Sequence, residues 1–167
     1  TFYPVASTNN KDFNNLVNIY LDAVFFPQVV NNENIFHREG WRYELDPKEQ
    51  LTYNGIVYSE MKGVYSNPYR ILAKKISQTL SPSSPYAFDS GGDPSIIPQL
   101  TFSELKSVHE KYYHPSNSVI MFYGNGNIAE HLQIVNQDYL SQFSSREEKI
   151  KVSGATCTTN ITLASGY

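Results

Sequence analysis

The chain has 167 residues, of which 40% are hydrophobic, 14% aromatic and 17% charged, and its formal net charge is -3 at pH 7. This length suits one domain with a buried core, and the small negative charge excludes a general attraction to nucleic acid or to an anionic membrane surface. No apolar run approaches the roughly 20 residues that span a bilayer, and the single cysteine, Cys157, excludes an internal disulfide and favours a reducing compartment. The opening residues Thr1 to Val5 contain no initiator Met, so we expect a piece of a longer polypeptide.

In chain order, the first predicted elements are a helix and a strand. Apolar residues at helical spacing predict a helix from Lys11 to Phe26, with Asn10 as its cap and Pro27 as its stop. Apolar and polar residues alternate from Gly40 to Asp46, which predicts a half-buried strand, and a polar turn is expected over residues 47–50.

Two helices are predicted to follow. The first runs from Tyr53 to Ser66 and places three apolar residues on one face: Val57, Met61 and Val64. The second opens at Asn67, an N-cap residue that precedes Pro68 at the first helical position, and it ends at Pro82.

A long loop separates these helices from the last third of the chain. It covers Ser81 to Pro98 and centres on the segment Asp89–Pro94, for which we expect a tight turn. This segment lacks the Lys-Ser/Thr pair of a phosphate-binding loop. Because loops of this length often bind ligands or cover sites, a binding role stays open.

The last third predicts two helices and a strand. Thr101 and Glu104 form a capping box for the first helix, and Ser118 to Tyr123 is an unbroken apolar run typical of a strand buried on both faces. A final amphipathic helix is expected over Asn127–Leu140. The inward residues expected on the two helices are Leu105, Val108 and Tyr112, and then Ile128, Leu132, Val135 and Tyr139. Together these elements predict an α+β fold.

The histidines do not fall at metal-ligand spacing. His109 and His114 flank Glu110, but side chains five residues apart diverge on a helix, so a helix end followed by a turn explains this pattern. Residues Asn127–His131 have Asn where an inverted zinc motif needs its first His, and their spacing is that of a helix cap. A polar surface connection is expected for His37–Glu39.

Glu60 is the acidic residue whose placement on a helix is unusual. It follows Ile56 by four residues and Val57 by three, which places it at the edge of the face expected to be buried. Gly63, one turn further on, leaves space for another backbone or a ligand. A carboxylate that faces the interior is costly unless it is paired, hydrogen-bonded or bound to metal. Spacing alone favours a rim glutamate in a salt bridge.

Six sequence blocks, taken together and in order, resemble one enzyme family. They are Tyr3–Thr8, Tyr20–Pro27, Glu39–Trp41, Tyr53–Ser66, Asp89–Pro94 and Tyr112–Asn117. The family is the presequence-protease branch of the pitrilysin/insulinase zinc metallopeptidases, a branch that includes falcilysin-like enzymes. The resemblance implies a partial half-domain in which helices pack on a mixed, mostly antiparallel sheet. It covers residues 1–143 as part of the catalytic domain and leaves residues 144–167 as a linker or tail.

The same resemblance implies one metal ligand in this chain. Family members bind zinc through the two His of an H-x-x-E-H motif, whose Glu is the general base, and through a Glu far downstream. Glu60 occupies the position of that downstream ligand. The H-x-x-E-H motif is absent and is expected upstream of Thr1, so no catalytic residue is assigned here. The resemblance therefore implies that the isolated chain binds Zn²⁺ weakly and has no activity.

The function implied by the resemblance is that of part of a zinc-dependent endopeptidase that degrades short unfolded peptides. Its implied partners are those peptides and the remaining domains of the same polypeptide, with no nucleic acid and no membrane. Its implied location is a mitochondrion, a plastid or a vacuole. The alternative is a non-catalytic domain of the same family that serves as a chamber wall or an interaction module.

Overall fold

The computed structural model describes residues 1–146, which contain six α-helices and one two-stranded antiparallel sheet. The helices are α1 (Asn10–Phe25), α2 (Glu33–Glu39), α3 (Ile56–Val64), α4 (Pro68–Leu80), α5 (Phe102–Tyr112) and α6 (Ile128–Ile134), and the strands are β1 (Arg42–Leu45) and β2 (Leu51–Asn54). This content is α+β, as predicted. None of these helices has the length and hydrophobicity required to cross a bilayer. The expected tail, residues 144–167, lies almost wholly outside the described residues.

The described residues divide into two compact units. Residues 1–34 and 101–146 form what we call the terminal unit, and residues 35–100 form the central unit. In the terminal unit, α1 is capped by Asn9, whose side chain accepts hydrogen bonds from Lys11 N and Asp12 N. The cap is therefore one residue earlier than predicted. Pro27 follows the end of the helix, as expected.

The core of the terminal unit lies between α1 and the end of α6. Val17 and Phe25 of α1 are buried, and α6 continues as a π-helical turn over Val135–Tyr139. The Tyr139 hydroxyl donates to the backbone oxygen of Asn18 at 2.8 Å. This buried ring with a satisfied hydroxyl links α1 to the turn that follows α6.

The central unit is built around the hairpin of β1 and β2. The register pairs Tyr43 with Tyr53 and Leu45 with Leu51. Strand β2 was not predicted, since the sequence favoured a turn over residues 47–50 and a helix that begins at Tyr53. The expectation that β1 is half-buried is also wrong: Tyr43 is 57% exposed and Leu45 is 64% exposed. Among the described residues β1 pairs with β2 alone, and the Tyr43 ring packs against the rings of Trp41 and Tyr53 at the edge of the hairpin.

The predicted strand at residues 118–123 is absent from the described structure. This segment has no regular secondary structure, and Val119 and Tyr123 are 95% and 97% exposed. A strand requires a neighbour that accepts its backbone hydrogen bonds, and no strand within residues 1–146 lies beside this one. Phe122 packs against the rings of Phe13 and His131, whereas Val119, Met121 and Tyr123 remain open to solvent.

The start of α3 depends on a close approach between two glycines. Gly55 has φ +141°, and a Cβ built on it would lie 2.3 Å from the backbone oxygen of Gly40. That same oxygen accepts a hydrogen bond from Tyr58 N at 3.2 Å in the first turn of α3. The residue that follows α2 therefore satisfies one of the free N–H groups of α3.

Candidate functional site

Glu60 lies on α3 with its carboxylate exposed. Within residues 1–146 it forms no salt bridge, so the rim salt bridge favoured by spacing alone is not made to any described residue. Two apolar neighbours on the helix, Ile56 and Val57, are 57% and 39% exposed. The face that the sequence predicts to be buried is therefore exposed at Val57 and buried at Met61, which is 5% exposed.

Open space lies beside Glu60, as the sequence predicts. A Cβ built on Gly63 would meet no atom within 4 Å. Gly63 lies one turn after Glu60, so the two residues share a face of the helix. This face consists of a carboxylate, exposed apolar side chains and a glycine without neighbours. It can receive another segment of protein or a ligand.

The loop over Asp89–Asp93, which we call the acid loop, folds as the expected tight turn. Gly92 N donates to the backbone oxygen of Asp89 at 3.0 Å, and Gly92 has φ +92°. The side chain of Asp89 is only 5% exposed and receives a salt bridge from Arg70 at 3.0 Å. It also accepts from Gly91 N and from the Tyr65 hydroxyl. A buried carboxylate with several donors is a stable anchor for a turn.

Asp93 forms the second anchor of the acid loop. Its carboxylate accepts from Lys74 Nζ at 2.5 Å and from the backbone and hydroxyl of Ser95 at 2.8 Å and 2.6 Å. The hydrogen bond from Lys74, followed by those from Ser95, lowers the pKa of Asp93 to about 2. The same contact raises the pKa of Lys74. The ion pair is therefore intact throughout the physiological pH range.

The histidines have structural roles, as the sequence predicts for three of them. In α5, His109 Nε2 lies 2.9 Å from the backbone oxygen of Val24. His114 Nδ1 accepts from Ser116 N, and His131 is stacked on Phe122. His37 was expected on a surface connection, but it lies in α2 with Nδ1 at 3.2 Å from the backbone oxygen of Trp41. The connection was predicted because residues 37–39 are polar and directly precede a predicted strand.

The described residues do not form a metal centre on their own. No group of three His, Cys, Asp or Glu side chains within residues 1–146 is arranged to hold an ion. A catalytic zinc takes three protein ligands and one open position. Glu60 can supply one oxygen donor, because its carboxylate is exposed and has no salt bridge there. The other ligands would have to come from outside the described residues.

His114 gives the terminal unit a pH-dependent stability. Burial, together with the nearby guanidinium of Arg146, lowers the pKa of His114 below its ordinary value of 6.5. As the pH decreases, the unfolded chain therefore binds a proton at a higher pH than the folded chain does. The contribution of neutral His114 to the free energy of unfolding is complete above about pH 6.5 and is lost as the pH decreases through the pKa of the folded state. We expect His114→Asn, which retains an acceptor for Ser116 N but does not titrate, to remove this loss. Urea unfolding at pH 7.5 and pH 5.5 measures the difference; an equal loss in both proteins would contradict the assignment.

Curated proteins resemble this chain over most of its length. It is 53% identical over 156 residues to presequence protease 1, chloroplastic/mitochondrial, of Arabidopsis thaliana, covering 90% of this chain and 14% of that protein. It is 53% identical over 148 residues to protein HypA of Clostridium perfringens, covering 88% and 15%. It is 42% identical over 156 residues to the mitochondrial presequence protease of Danio rerio, covering 91% and 15%. The chain thus spans about 15% of the length of these relatives.

A family profile described as the peptidase M16 inactive domain matches residues 99–163.

Proposed function

We propose that this chain is part of a zinc-dependent endopeptidase and supplies that enzyme with one metal ligand, Glu60. The premise is that the chain belongs to the presequence-protease branch of the pitrilysin family. The observation that carries the proposal is the position of Glu60 on the open face of α3. Glu60 is an acidic side chain among exposed apolar residues, and it forms no salt bridge within residues 1–146. It is therefore suited to bind a group that lies outside these residues.

The remaining zinc ligands would come from residues other than 1–146. When bound, such a zinc ion acidifies a water molecule and polarises the peptide carbonyl that is cleaved. The contribution of this chain is to hold one carboxylate on a rigid helix and to leave the space beside Gly63 open. We assign no general base and no substrate-binding residue to the described part of the chain.

The test is a peptidase assay on the full-length polypeptide that contains this chain. We expect it to cleave an unstructured fluorogenic peptide, a chelator to abolish the cleavage, and added Zn²⁺ to restore it. The 167-residue chain assayed alone should be inactive, because one ligand does not retain zinc at a catalytic site. Cleavage by the full-length protein that persists after complete removal of metal would contradict the proposal.

We further propose short unfolded peptides as the substrates and a mitochondrion or plastid as the location. The support is that the relatives from plants and animals are called presequence proteases and are described as chloroplastic or mitochondrial. The remaining domains of the same polypeptide would be the structural partners of this chain. A vacuolar location and a falcilysin-like activity have only the sequence resemblance as support.

A second candidate function is a non-catalytic domain that forms a chamber wall. The observation that favours it is the match of residues 99–163 to a domain described as inactive. The polypeptide sequence upstream of Thr1 separates the two candidates. An H-x-x-E-H motif within some tens of residues supports the peptidase, whereas its absence there supports the non-catalytic domain.

A further inference from the structure

We propose that the acid loop is a positioning device for Glu60, because it fixes the rotation of α3 about its own axis. The inference rests on the proposed function in that Glu60 is taken as a metal ligand. It goes beyond that function by assigning a role to Gly91, Asp89 and Asp93, which lie about 30 residues away along the chain. These are positioning residues, since none of them is itself a ligand.

The first step concerns the two contacts between the acid loop and α3. Met61 is buried, and a Cβ built on Gly91 would lie 2.4 Å from its sulfur. Tyr65, the C-cap of α3, donates its hydroxyl to Asp89 Oδ2 at 3.5 Å. Met61 and Tyr65 are one helical turn apart and lie on the same face, so the loop contacts α3 at two levels of that face. The Met61 contact, together with this long hydrogen bond, opposes rotation of the helix about its axis.

The second step relates that face to the direction of Glu60. Glu60 precedes Met61 by one residue and therefore points about 100° away from it around the helix axis. When Met61 faces the acid loop, Glu60 must face the open side that also contains Gly63. A rotation of α3 that moved Met61 away from Gly91 would turn the Glu60 carboxylate by the same angle.

The third step shows that the acid loop is itself held in place. Arg70 and Lys74, one turn apart on α4, pair with Asp89 at 3.0 Å and with Asp93 at 2.5 Å. The Lys74 ammonium also lies over the ring of Tyr65, 4.9 Å from its centre. The loop, the end of α3 and the first turns of α4 thus form a closed set of contacts. Paired charges that are partly removed from water resist displacement more than exposed pairs do.

Gly91 is the most informative position at which to test the inference. Its φ is not positive, so its backbone conformation tolerates alanine, and the atoms nearest to an added methyl group belong to the Met61 and Asp89 side chains. Gly91→Ala should therefore displace Met61 without distorting the turn. Ser90→Ala, at the exposed neighbouring residue, is the matched control.

The experiment measures the affinity of the full-length polypeptide for Zn²⁺ by competition with a chromogenic chelator, together with its melting temperature. We expect Gly91→Ala to weaken zinc binding about 10-fold, a typical effect of losing a group that orients a ligand. Ser90→Ala should have no effect. Met61→Val removes the sulfur and terminal methyl that the new Cβ would touch, so adding it to Gly91→Ala should restore part of the affinity. A loop that served stability alone would lower the melting temperature and leave zinc affinity unchanged.

Two further variants separate the possible failures. Asp93→Asn weakens the ion pair to Lys74 and keeps the shape of the side chain, so it tests the inference if Gly91→Ala does not fold. Unchanged zinc affinity in the folded loop variants, with a clear loss in Glu60→Gln, would overturn the inference and leave the proposed function in place. Unchanged affinity in Glu60→Gln would overturn both.

Discussion

Glu60→Gln in the full-length polypeptide is expected to lower peptidase activity and zinc affinity together, each by more than about 100-fold, so that zinc occupancy also falls. Loss of a group that merely orients a metal ligand typically costs 10–100-fold, and loss of a direct ligand costs more. Glutamine has nearly the same shape as glutamate but offers zinc a neutral amide oxygen in place of a carboxylate. Since Glu60 is exposed, the substitution should leave the fold unchanged. Metal analysis and peptide cleavage on the same preparation measure the two effects.

The matched control is Glu110→Gln, which makes the same chemical change on another exposed helical glutamate. Glu110 lies between two histidines, so it is also the residue that a search for zinc motifs would choose first. His109 contacts the backbone oxygen of Val24 and His114 accepts from Ser116 N, so neither of them faces a shared site. We expect this control to retain metal and activity. Normal metal content in Glu60→Gln would remove Glu60 from the ligand set.

The second large effect is expected on stability, from Gly55→Ala. The backbone at Gly55 has φ +141° and ψ +151°, a region that is almost restricted to glycine and that costs another residue about 1–3 kcal/mol. The new Cβ would in addition lie 2.3 Å from the Gly40 oxygen. Relief of this clash requires the end of α2 and the start of α3 to separate, which would break the hydrogen bond from Tyr58 N. We expect a total loss of more than about 3 kcal/mol in the free energy of unfolding.

Gly63→Ala is the natural comparison, because both glycines belong to α3 or its cap. Gly63 is helical and has open space around it, so alanine should be tolerated and should stabilise the helix by up to about 1 kcal/mol. Denaturant unfolding of both variants under identical conditions tests the pair. Equal destabilisation by the two substitutions would show that glycine is not specifically required at the junction of α2 and α3.

The starts of α4 and α5 were predicted from sequence because they depend on neighbouring residues alone, whereas α3, expected over Tyr53–Ser66, spans only Ile56–Val64. Asn67 caps α4 with Pro68 at its first position, and Thr101 and Glu104 form the reciprocal capping box of α5. In each case the side chain bonds to the backbone within three residues, so no distant part of the chain is needed. Two short elements, α2 and β2, were missed because too few residues are present to establish a period.

Burial was predicted less well because it depends on which surface each helix meets. In α5, Val108 was expected to be inward but is half exposed. In α6, Ile128 and Leu132 were expected to be inward but are exposed, and His131 is buried. In the π-helical turn that follows, Val135 and Tyr139 are buried as predicted. The helix and the turn after it are rotated so that His131, Val135 and Tyr139, which are spaced by four residues, face α1. An apolar stripe wide enough to permit two rotations does not define which one occurs.

The candidate site was located by the order of its sequence blocks and not by spacing. Spacing suggested a salt-bridged glutamate at Glu60, and the match of Tyr53–Ser66 to a family block supplied the different interpretation. The acid loop could be identified as a turn from its glycines. Its contacts with Met61 and Tyr65 could not be foreseen, because they join segments about 30 residues apart through tertiary packing.

The open segment at residues 118–123 has a consequence for how the chain behaves during synthesis. Val119, Met121 and Tyr123 are almost fully exposed, and no charged residue interrupts the run. An uncharged apolar stretch of this length with high β-propensity is of the kind that nucleates cross-β aggregates. A nascent polypeptide that displays it would be prone to associate with other copies through this segment. The yield of soluble protein would therefore depend on concentration and on the rate of translation more strongly than the stability of either unit would suggest.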